Sequence, residues 1–458
     1  MLIPRDLLEK YNKAVPRYTS YPPANFFEQE DQPVNVVELL EDSNQQSTQN
    51  ISIYLHIPFC PKQCLYCGCN TTITRNRDKI HAYVQALKQE ISQTAKHLNK
   101  NRNVTQVHWG GGTPNYLDAD KISEIMHLLR SEFTFAENPE IAIECNPAYL
   151  DKKYVDALIN EGFNRFSLGV QDFNEKVLKT VNRDPSAIPV KELSDYIRKD
   201  GKAAVNLDFI YGLPYQDEQA FRKTIEKAIA IQPDRLVTFS YAHVPWFKKA
   251  QKKLEEHGLP EAEQKLRLFE LAYQMLTEAG YIPIGLDHFA KPDDELAVAL
   301  KNKKLHRNFQ GYCTRETTGQ VYAFGTSAIS QLDRAYYQNT KDVDKYTDKI
   351  HEGQSVIEKV YRISDQEAAL REVINEVMCN RQLPWSEIAK RVGKPEEEIR
   401  EMTAITPDKI RDFEKDELIK NKPEKVEVTD KGRFFIRNIA AAFDPLVQQT
   451  DKKFSKSI

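Results

Sequence analysis

The chain has 458 residues, of which 64 are Lys or Arg and 67 are Asp or Glu, so its formal net charge is −3. Its 40% hydrophobic and 29% charged residues are typical of a globular protein and argue against a disordered one, and the near-neutral charge disfavours nucleic acid as an obligate partner. The length predicts two or three domains, or one large α/β barrel with appendages, and no apolar run is long enough to predict a membrane span.

Residues 1–49 are predicted to form an extended segment that closes over the rest of the protein. Prolines at positions 16, 22 and 23 disfavour regular structure there. The start of this segment is charged throughout and lacks the apolar centre of a signal peptide. A cytoplasmic protein without membrane contact is therefore expected.

Residues 50–355 are predicted to form a partial parallel barrel of the (β/α)6 type with flanking elements. Strand patterns recur at residues 51–57, 104–109, 140–145, 165–171, 203–212, 235–243 and 281–290. Helical periodicity separates them, at residues 80–91, 121–133, 155–162, 190–199 and 218–230. This alternation indicates an α/β fold of βαβ units, and about six units are too few to close an eight-stranded barrel.

The first strand is followed by an unusual concentration of cysteine. The seven cysteines stand at positions 60, 64, 67, 69, 145, 313 and 379, and four of them within ten residues indicate a metal or cluster site and not a set of disulfides. Cys60, Cys64 and Cys67 have the spacing C-x3-C-x2-C. Three thiolates can hold three irons of a [4Fe–4S] cluster and leave the fourth iron open to the amino and carboxylate groups of S-adenosylmethionine.

A structural zinc site that uses Cys69 as a fourth ligand is the alternative, although such sites usually pair two cysteine motifs that lie well apart. The three remaining cysteines, Cys145, Cys313 and Cys379, are interpreted as small buried apolar side chains. His56, His108, His243 and His288 have no ligand spacing, so they are not predicted to form a metal site.

Polar residues and glycines follow at the ends of the later strands, where parallel sheets concentrate their chemistry. Gly110, Gly111 and Gly112, before Thr113, would let the backbone approach a nucleotide, because glycine has no Cβ. Glu144, Gln171, Arg183 and Asp208 are candidates to bind its ribose, carboxylate and amino groups. Each of these four could instead be a polar residue that caps a barrel strand.

Two tyrosines lie beside the cysteines. Tyr54, on the entering strand, is expected either to contact the cofactor or to pack in the core, and Tyr66 could pack against the adenine. Beyond these, residues 356–458 have short helical patterns followed by strand, turn and helix. They predict a small, mostly helical, winged-helix-like domain, whose mixed charges give little support for DNA binding.

The motif YLHIPFCPKQCLYCGCN (54–70) resembles the radical S-adenosylmethionine loop of the oxygen-independent coproporphyrinogen III oxidases, or coproporphyrinogen dehydrogenases. The resemblance continues through PRYTSYP (16–22), HWGGGTPNYL (108–117), GFNRFSLGVQDFN (162–174), NLDFIYGLP (206–214), SYAHVPW (240–246), LDHFAKPDDELA (286–297), HRNFQGY (306–312) and GRFFIRNIAAAFD (432–444). It covers nearly the whole chain and is weakest between about residues 385 and 425.

This resemblance implies the oxidative decarboxylation of two propionates of coproporphyrinogen III to vinyl groups, which gives protoporphyrinogen IX. The reaction would use 5′-deoxyadenosyl radicals from two S-adenosylmethionine molecules. It further implies an electron-donor protein, such as a flavodoxin or ferredoxin, and a terminal electron acceptor that the sequence does not identify. We expect a monomer.

Several residue roles also rest on the resemblance. Cys69 matches a fourth thiol of these oxidases with an auxiliary or catalytic duty, and Ala242 and Ile329 match positions near a second S-adenosylmethionine. Arg17 and Arg307 are candidate partners for the substrate propionates, because a tetracarboxylate requires guanidinium groups. A haem chaperone, which usually lacks the fourth thiol, and an anaerobic haem-degrading enzyme on the same fold stay as alternatives.

Overall fold

The computed structural model describes residues 3–29, 34–45, 49–314 and 319–448, together with residues 450, 452 and 454. The strands that form the largest sheet in these residues are β1 (Glu28–Gln29), β2 (Asn50–Ile57), β3 (Asn103–Gly111), β4 (Thr134–Cys145), β5 (Arg165–Gln171), β6 (Ala204–Tyr211), β7 (Arg235–Ser240), β8 (Ile282–Gly285), β9 (His288–Ala290), β10 (Gln320–Phe324), β11 (Ile329–Gln331), β12 (Ala335–Asn339) and β13 (Ile357–Arg362). Their order across the sheet is β1-β13-β12-β11-β10-β2-β3-β4-β5-β6-β7-β9-β8.

Strands β2 to β7 are parallel neighbours and form the predicted partial barrel. The helices that connect or follow them are Arg77–Ala95, Ala119–Glu132, Lys152–Asn160, Glu175–Thr180, Val190–Ile197, Glu218–Ile231 and Ala262–Glu278. In the first helix the side chains at the predicted positions, including Ile80, Val84 and Leu87, are buried against the sheet. The α/β prediction and the six strand–helix units are confirmed.

The sheet extends beyond the predicted barrel on both sides. β10 pairs in parallel with β2, and β11, β12, β13 and β1 continue from it in antiparallel pairs. The strand predicted over residues 281–290 is instead the hairpin of β8 and β9, because the chain turns at Leu286, where φ is +49°. A hairpin and one long strand have the same apolar pattern, so the sequence did not separate them.

The N-terminal segment is less extended than predicted. It contains helices Arg5–Tyr11 and Val36–Asn44 and a 3-10 turn, Ala24–Phe26, although residues 12–23 are without regular helix. Leu7 and Tyr11 lie one turn apart and pack into the core of the C-terminal domain, which stabilises a helix that the local sequence barely indicates. This packing already joins the two ends of the chain.

The C-terminal domain begins at Ser364, which forms a capping box with Glu367. The expected boundary at residue 356 cuts the large sheet, since β13 pairs with β12. The domain contains helices Asp365–Asn375, Trp385–Val392, Glu396–Met402, Pro407–Lys415, Ile436–Phe443 and Pro445–Gln448, a π-helical turn, Glu376–Asn380, and a three-stranded sheet of Gln382–Pro384, Ile419–Asn421 and Lys425–Val428.

The remaining elements are short. They are strands Phe59–Cys60, Thr72–Ile73, Leu305–Asn308 and Gly311–Thr314, helices Glu295–Lys301 and Val343–His351, and 3-10 helices Pro114–Tyr116, Pro147–Tyr149, Lys249–His257 and Gly432–Phe435. Within the described residues, no helix has the length and apolar character that crossing a membrane requires.

Candidate active site

The loop between Phe59–Cys60 and Thr72–Ile73 carries the four clustered cysteines. These two short strands pair in parallel and close the loop at its base. Inside it, the Cys67 N–H donates to the Cys64 carbonyl at 3.2 Å, and the Leu65 N–H donates to the Val181 carbonyl at 2.9 Å. The loop therefore holds Cys60, Cys64 and Cys67, all partly buried, in a defined arrangement.

Each thiol has different surroundings. The Cys60 Sγ is 3.2 Å from the Thr113 hydroxyl oxygen, and Arg183 Nη1 donates to the Cys64 Sγ at 3.7 Å. A hydrogen bond from the exposed Cys69 lowers the pKa of Cys67 to about 6, whereas burial raises the pKa of Cys60 to about 11. A nearby arginine and thiol donors favour thiolates, which are the form that binds iron.

This set of donors fits an iron–sulfur cluster better than a single metal ion. In the part of the chain that the structure describes, no three His, Cys, Asp or Glu side chains converge closely enough to hold one ion. The described geometry therefore does not favour the alternative zinc site of the four cysteines, and the absence of a metal site at the four histidines stays a prediction. Cluster ligands bind different iron atoms and do not have to converge on one point.

The glycine run at the end of β3 lies against this loop. At Gly112, a Cβ would come within 2.7 Å of the Pro58 carbonyl oxygen and 3.0 Å of the Cys60 Sγ. Gly111 has φ of +117°, and at Gly110 a Cβ would be 3.0 Å from the Tyr54 hydroxyl. At all three positions a Cβ would lie 3.0 Å or less from another protein atom, so the glycines let this strand end pack closely against the neighbouring chain.

A polar group on β2, β3 and β4 borders the glycines. The Tyr54 and His108 rings stack with their centroids 5.9 Å apart, and His108 Nε2 is 3.0 Å from Glu144 Oε1. Burial opposes the charged form of His108, but the Glu144 carboxylate outweighs it and raises the pKa of His108. The Tyr54 hydroxyl is also 3.1 Å from His56 Nδ1. Tyr54 is therefore part of a hydrogen-bonded group and is more than core packing.

Gln171 ends β5, Arg183 follows the helix Glu175–Thr180, and Asp208 lies within β6. Gln171 has φ of +69° beside a register shift in β5, and a Cβ on Gly169 would be 2.8 Å from its Nε2 and 3.0 Å from Arg183 Nη2. Asp208 accepts a hydrogen bond from the Ser167 hydroxyl at 2.8 Å, and burial raises its pKa to about 6. Gln171 and Arg183 are thus brought together, next to the Cys64 thiol.

Tyr66 and Ala242 are linked by the side chain of Gln251, which the sequence analysis did not predict as a site residue. Gln251 Nε2 donates to the Tyr66 carbonyl at 3.0 Å and to the Ala242 carbonyl at 3.2 Å. Ile329 begins β11, directly after the turn that follows the carboxyl end of β10. It packs against an apolar cluster that contains Phe27, Tyr336 and Ile363 and none of the cysteines.

A cluster of cationic side chains lies where the N-terminal segment, the barrel and the C-terminal domain meet. Arg307 Nη1 donates to the Arg17 carbonyl at 3.0 Å, and Arg437 Nε donates to the Pro16 carbonyl at 3.0 Å. The charges of Arg17 and Arg307, after burial, lower the pKa of Arg437 to about 9. Burial and the charge of Arg17 also lower the pKa of Lys265.

The carboxylate that faces this cluster is Asp287, which accepts a hydrogen bond from His288 Nδ1 at 2.8 Å. Burial opposes its ionisation, but His288, Arg17 and Arg307 lower its pKa. Arg307 Nε is buried and has no hydrogen-bond partner among the described residues. The site therefore has more positive than negative charge, and one donor is left for an anion.

Arg437, Lys265 and Asp287 were not among the predicted site residues. Arg437 lies in the otherwise apolar helix Ile436–Phe443, and one buried arginine in such a helix was the available signal. Lys265 and Asp287 gave no such signal, because a charged residue in a helix or turn is usually solvated.

Comparisons with known proteins agree with this geometry. A model of the Radical SAM superfamily matches residues 54–228, and a model of the HemN C-terminal domain matches residues 363–435. The partial barrel, its cysteine loop and this match define a radical S-adenosylmethionine enzyme, a class whose cofactors are a [4Fe–4S] cluster and S-adenosylmethionine.

The full-length relatives narrow the class. Oxygen-independent coproporphyrinogen III oxidase of Synechocystis sp. is 41% identical over 99% of this chain and 97% of its own length, and that of Escherichia coli is 39% identical over 99% and 98%. The solved structure of coproporphyrinogen III oxidase (HemN) from Escherichia coli, a radical SAM enzyme, superposes with a TM-score of 0.87 at 38% identity, and covers 95% of this chain and 100% of its own. The chain belongs to the family of oxygen-independent coproporphyrinogen III oxidases.

Proposed function

We propose that this protein decarboxylates two propionate side chains of coproporphyrinogen III to vinyl groups without oxygen, and so forms protoporphyrinogen IX. The observation that carries the proposal is the cationic cluster of Arg17, Arg307 and Arg437 around Asp287, whose neighbour His288 acts electrostatically on Asp208 of barrel strand β6. A tetracarboxylate substrate needs such a cluster, and a radical reaction needs the loop beside it.

Cys60, Cys64 and Cys67 are the proposed cluster ligands. The proposed contacts of S-adenosylmethionine, including a second molecule, are Tyr54, Tyr66, Cys69, Gly111, Gly112, Thr113, Glu144, Gln171, Arg183, Asp208, Ala242 and Ile329. When bound, these cofactors would supply a 5′-deoxyadenosyl radical able to take a hydrogen atom from a propionate β-carbon. The substrate then loses carbon dioxide and one electron, which a terminal acceptor must take up.

The protein's own residues bind, orient and enclose the substrate in this proposal. Arg17 and Arg307 hold propionate carboxylates through charge-assisted hydrogen bonds. The N-terminal segment, fixed by Arg437, covers the substrate and excludes water, which protects a reactive carbon centre. We place the reaction in the reducing cytoplasm, where the thiols that hold a cluster stay reduced.

Anaerobic turnover tests the proposal directly. The cluster-loaded protein is incubated with coproporphyrinogen III, S-adenosylmethionine and dithionite, and the products are separated by chromatography. Protoporphyrinogen IX, methionine and 5′-deoxyadenosine are expected. Stable haem binding without product would indicate a carrier, and consumption of haem would indicate a degrading enzyme; either result overturns the proposal.

Variants of the cationic cluster test the substrate contacts. Loss of one charge-assisted pair costs about 1.5–3 kcal/mol, so Arg17→Ala and Arg307→Ala should raise KM for coproporphyrinogen III by about tenfold or more. Arg222→Ala, on the exposed face of an outer barrel helix, is the matched control and should leave KM unchanged. Unchanged KM in both cluster variants would show that the propionates bind elsewhere.

A further inference from the structure

The loop that follows β7 carries the most exposed aromatic side chains among the described residues. Trp246 is 80% exposed and Phe247 is 67% exposed. Large apolar side chains are seldom this exposed next to each other in a monomeric protein. Adjacent exposed aromatic side chains therefore indicate an interaction surface. We call the exposed set of Trp246, Phe247, Lys249, Lys252 and Lys253 the 246–253 face.

The opposite side of the same segment rests on the cysteine loop. Lys248 Nζ donates to the Cys69 carbonyl at 2.6 Å, and Gln251 reaches the Tyr66 carbonyl. Leu254 is fully buried and packs in an apolar cluster with Leu65 and Tyr66. The 246–253 face is therefore the outer surface of a single layer of chain above the cluster ligands.

The charge of this face is strongly positive. Residues 241–253 include four lysines and no acidic residue. Lys249, Lys252 and Lys253 are exposed, and the nearest carboxylates on the same helix are Glu255, which is 3.0 Å from His243, and Glu256. Exposed aromatic anchors within a ring of one charge are the usual composition of a protein docking site, and the charge selects an acidic partner.

We propose that the 246–253 face is the docking surface for a small acidic one-electron donor protein. This inference rests on the proposed function, because a cluster that starts radical chemistry must be reduced from outside the chain. Each productive encounter moves one electron, by which the donor is oxidised and the cluster is reduced, and no bond forms or breaks. Trp246 and Phe247 supply apolar contact, and the lysines supply orientation and fast association.

Binding of an oxidised flavodoxin to the cluster-loaded protein, measured by calorimetry at low and high salt, tests the surface independently of turnover. Trp246→Ala, and separately the pair Lys252→Glu with Lys253→Glu, should each weaken binding about tenfold or more, and the lysine pair should also flatten its salt dependence. The control pair Lys202→Glu with Lys223→Glu makes the same charge change on exposed lysines elsewhere and should leave binding unchanged.

A second measurement separates this surface from the proposed function. Turnover with dithionite, a small reductant that needs no docking, should be unchanged in the Trp246 and lysine variants. Loss of dithionite-driven turnover would instead indicate that the 246–253 face covers the substrate site, and it would overturn the inference. Equal binding in all variants, equal loss in the control pair, or binding to anionic vesicles in place of flavodoxin would each overturn the inference.

Discussion

Cys67 and Cys69 are separated by a single residue, and their thiol pKa values are shifted in opposite directions. Cys69 donates a hydrogen bond that stabilises the Cys67 thiolate, and the same contact raises the pKa of Cys69. A thiol that donates a hydrogen bond to a neighbouring thiolate keeps its own proton, whereas a thiol that binds iron must lose it. The structure therefore supports different roles for two cysteines that the spacing alone would group together.

Serine substitutions should separate these roles. Cys60→Ser, Cys64→Ser and Cys67→Ser should each abolish the cluster, because each removes one of three ligands, whereas Cys69→Ser should keep it and impair turnover. Iron and sulfide analysis after anaerobic reconstitution measures the first effect. Cys379→Ala, buried in the C-terminal domain, is the control that should retain full iron content. A colourless Cys69→Ser protein would show that Cys69 is a cluster ligand.

Asp208 predicts a pH dependence. Burial raises its pKa to about 6, so its carboxylate is ionised at pH 8 and mostly protonated at pH 5. The amino group and sulfonium of S-adenosylmethionine are cationic and favour the ionised form, so affinity should fall as the pH falls through 6. Equilibrium binding to reconstituted protein measures this, and Asp208→Asn should remove the dependence. An Asp208→Asn protein with the same pH profile would assign the titration to another group.

Site residues could be predicted from the sequence only where they stand close together in the chain at a recognisable spacing. Cys60, Cys64, Cys67 and the glycine run stand close together in the chain, so their chemistry is visible in the motif. Arg437 binds carbonyls more than 400 residues away, at Val15 and Pro16. No local pattern reports such a pair, which only the folded chain creates.

At the scale of elements, the turn after β3 and the base of the cysteine loop behave as one unit. The Gly112 N–H donates to the Ile57 carbonyl at 2.8 Å, and the Thr113 N–H donates to the Phe59 carbonyl at 3.0 Å. The loop is thus fixed to a neighbouring strand end at its first cysteine. Its geometry depends on the backbone of another element as well as on its own residues.

Gly112→Ala should disrupt this unit. The new Cβ would lie 2.7 Å from the Pro58 carbonyl oxygen, and backbone cannot move away cheaply. We expect a large loss of bound iron after reconstitution. Gly68→Ala, in the same loop, is a matched control because its Cβ would meet nothing within 4 Å, and it should retain iron. Equal iron content in both variants would show that the contact is not needed.

The sequence predicted the barrel elements well and the peripheral ones poorly, for a physical reason. Strand β2 and helix Arg77–Ala95 bury regular apolar faces, so their periodicity is visible. Helix Arg5–Tyr11 is short and is stabilised by packing on a distant domain, for example by Tyr11 against Phe435 at 5.3 Å. Tertiary stabilisation of this kind leaves little trace in local composition.

At the scale of the whole molecule, one buried carboxylate joins the two chain ends. Asp444 is fully buried and accepts hydrogen bonds from the Tyr18 hydroxyl at 2.8 Å and the Tyr21 hydroxyl at 3.0 Å. Tyr336 of the barrel in turn donates to the Tyr21 carbonyl at 2.8 Å. The N-terminal segment is therefore held between the barrel and the C-terminal domain.

Asp444→Ala should release that segment. Two buried hydroxyls would lose their acceptor, at a cost of about 2–5 kcal/mol. Hydrogen exchange should show lost protection over residues 12–23, and KM for the substrate should rise, while iron content stays constant. Asp408→Ala, an exposed aspartate of the same domain, is the control. Unchanged protection over residues 12–23 would contradict the clamp.

The joined ends have a consequence for the order in which the protein matures during synthesis. The cysteine loop and the six parallel strands lie within the first 240 residues, so the half that receives iron can fold while the rest is still being translated. The proposed substrate cover also needs Arg437 and Asp444, which are translated long after β7. A nascent or truncated chain would thus acquire its metal before it could enclose a substrate.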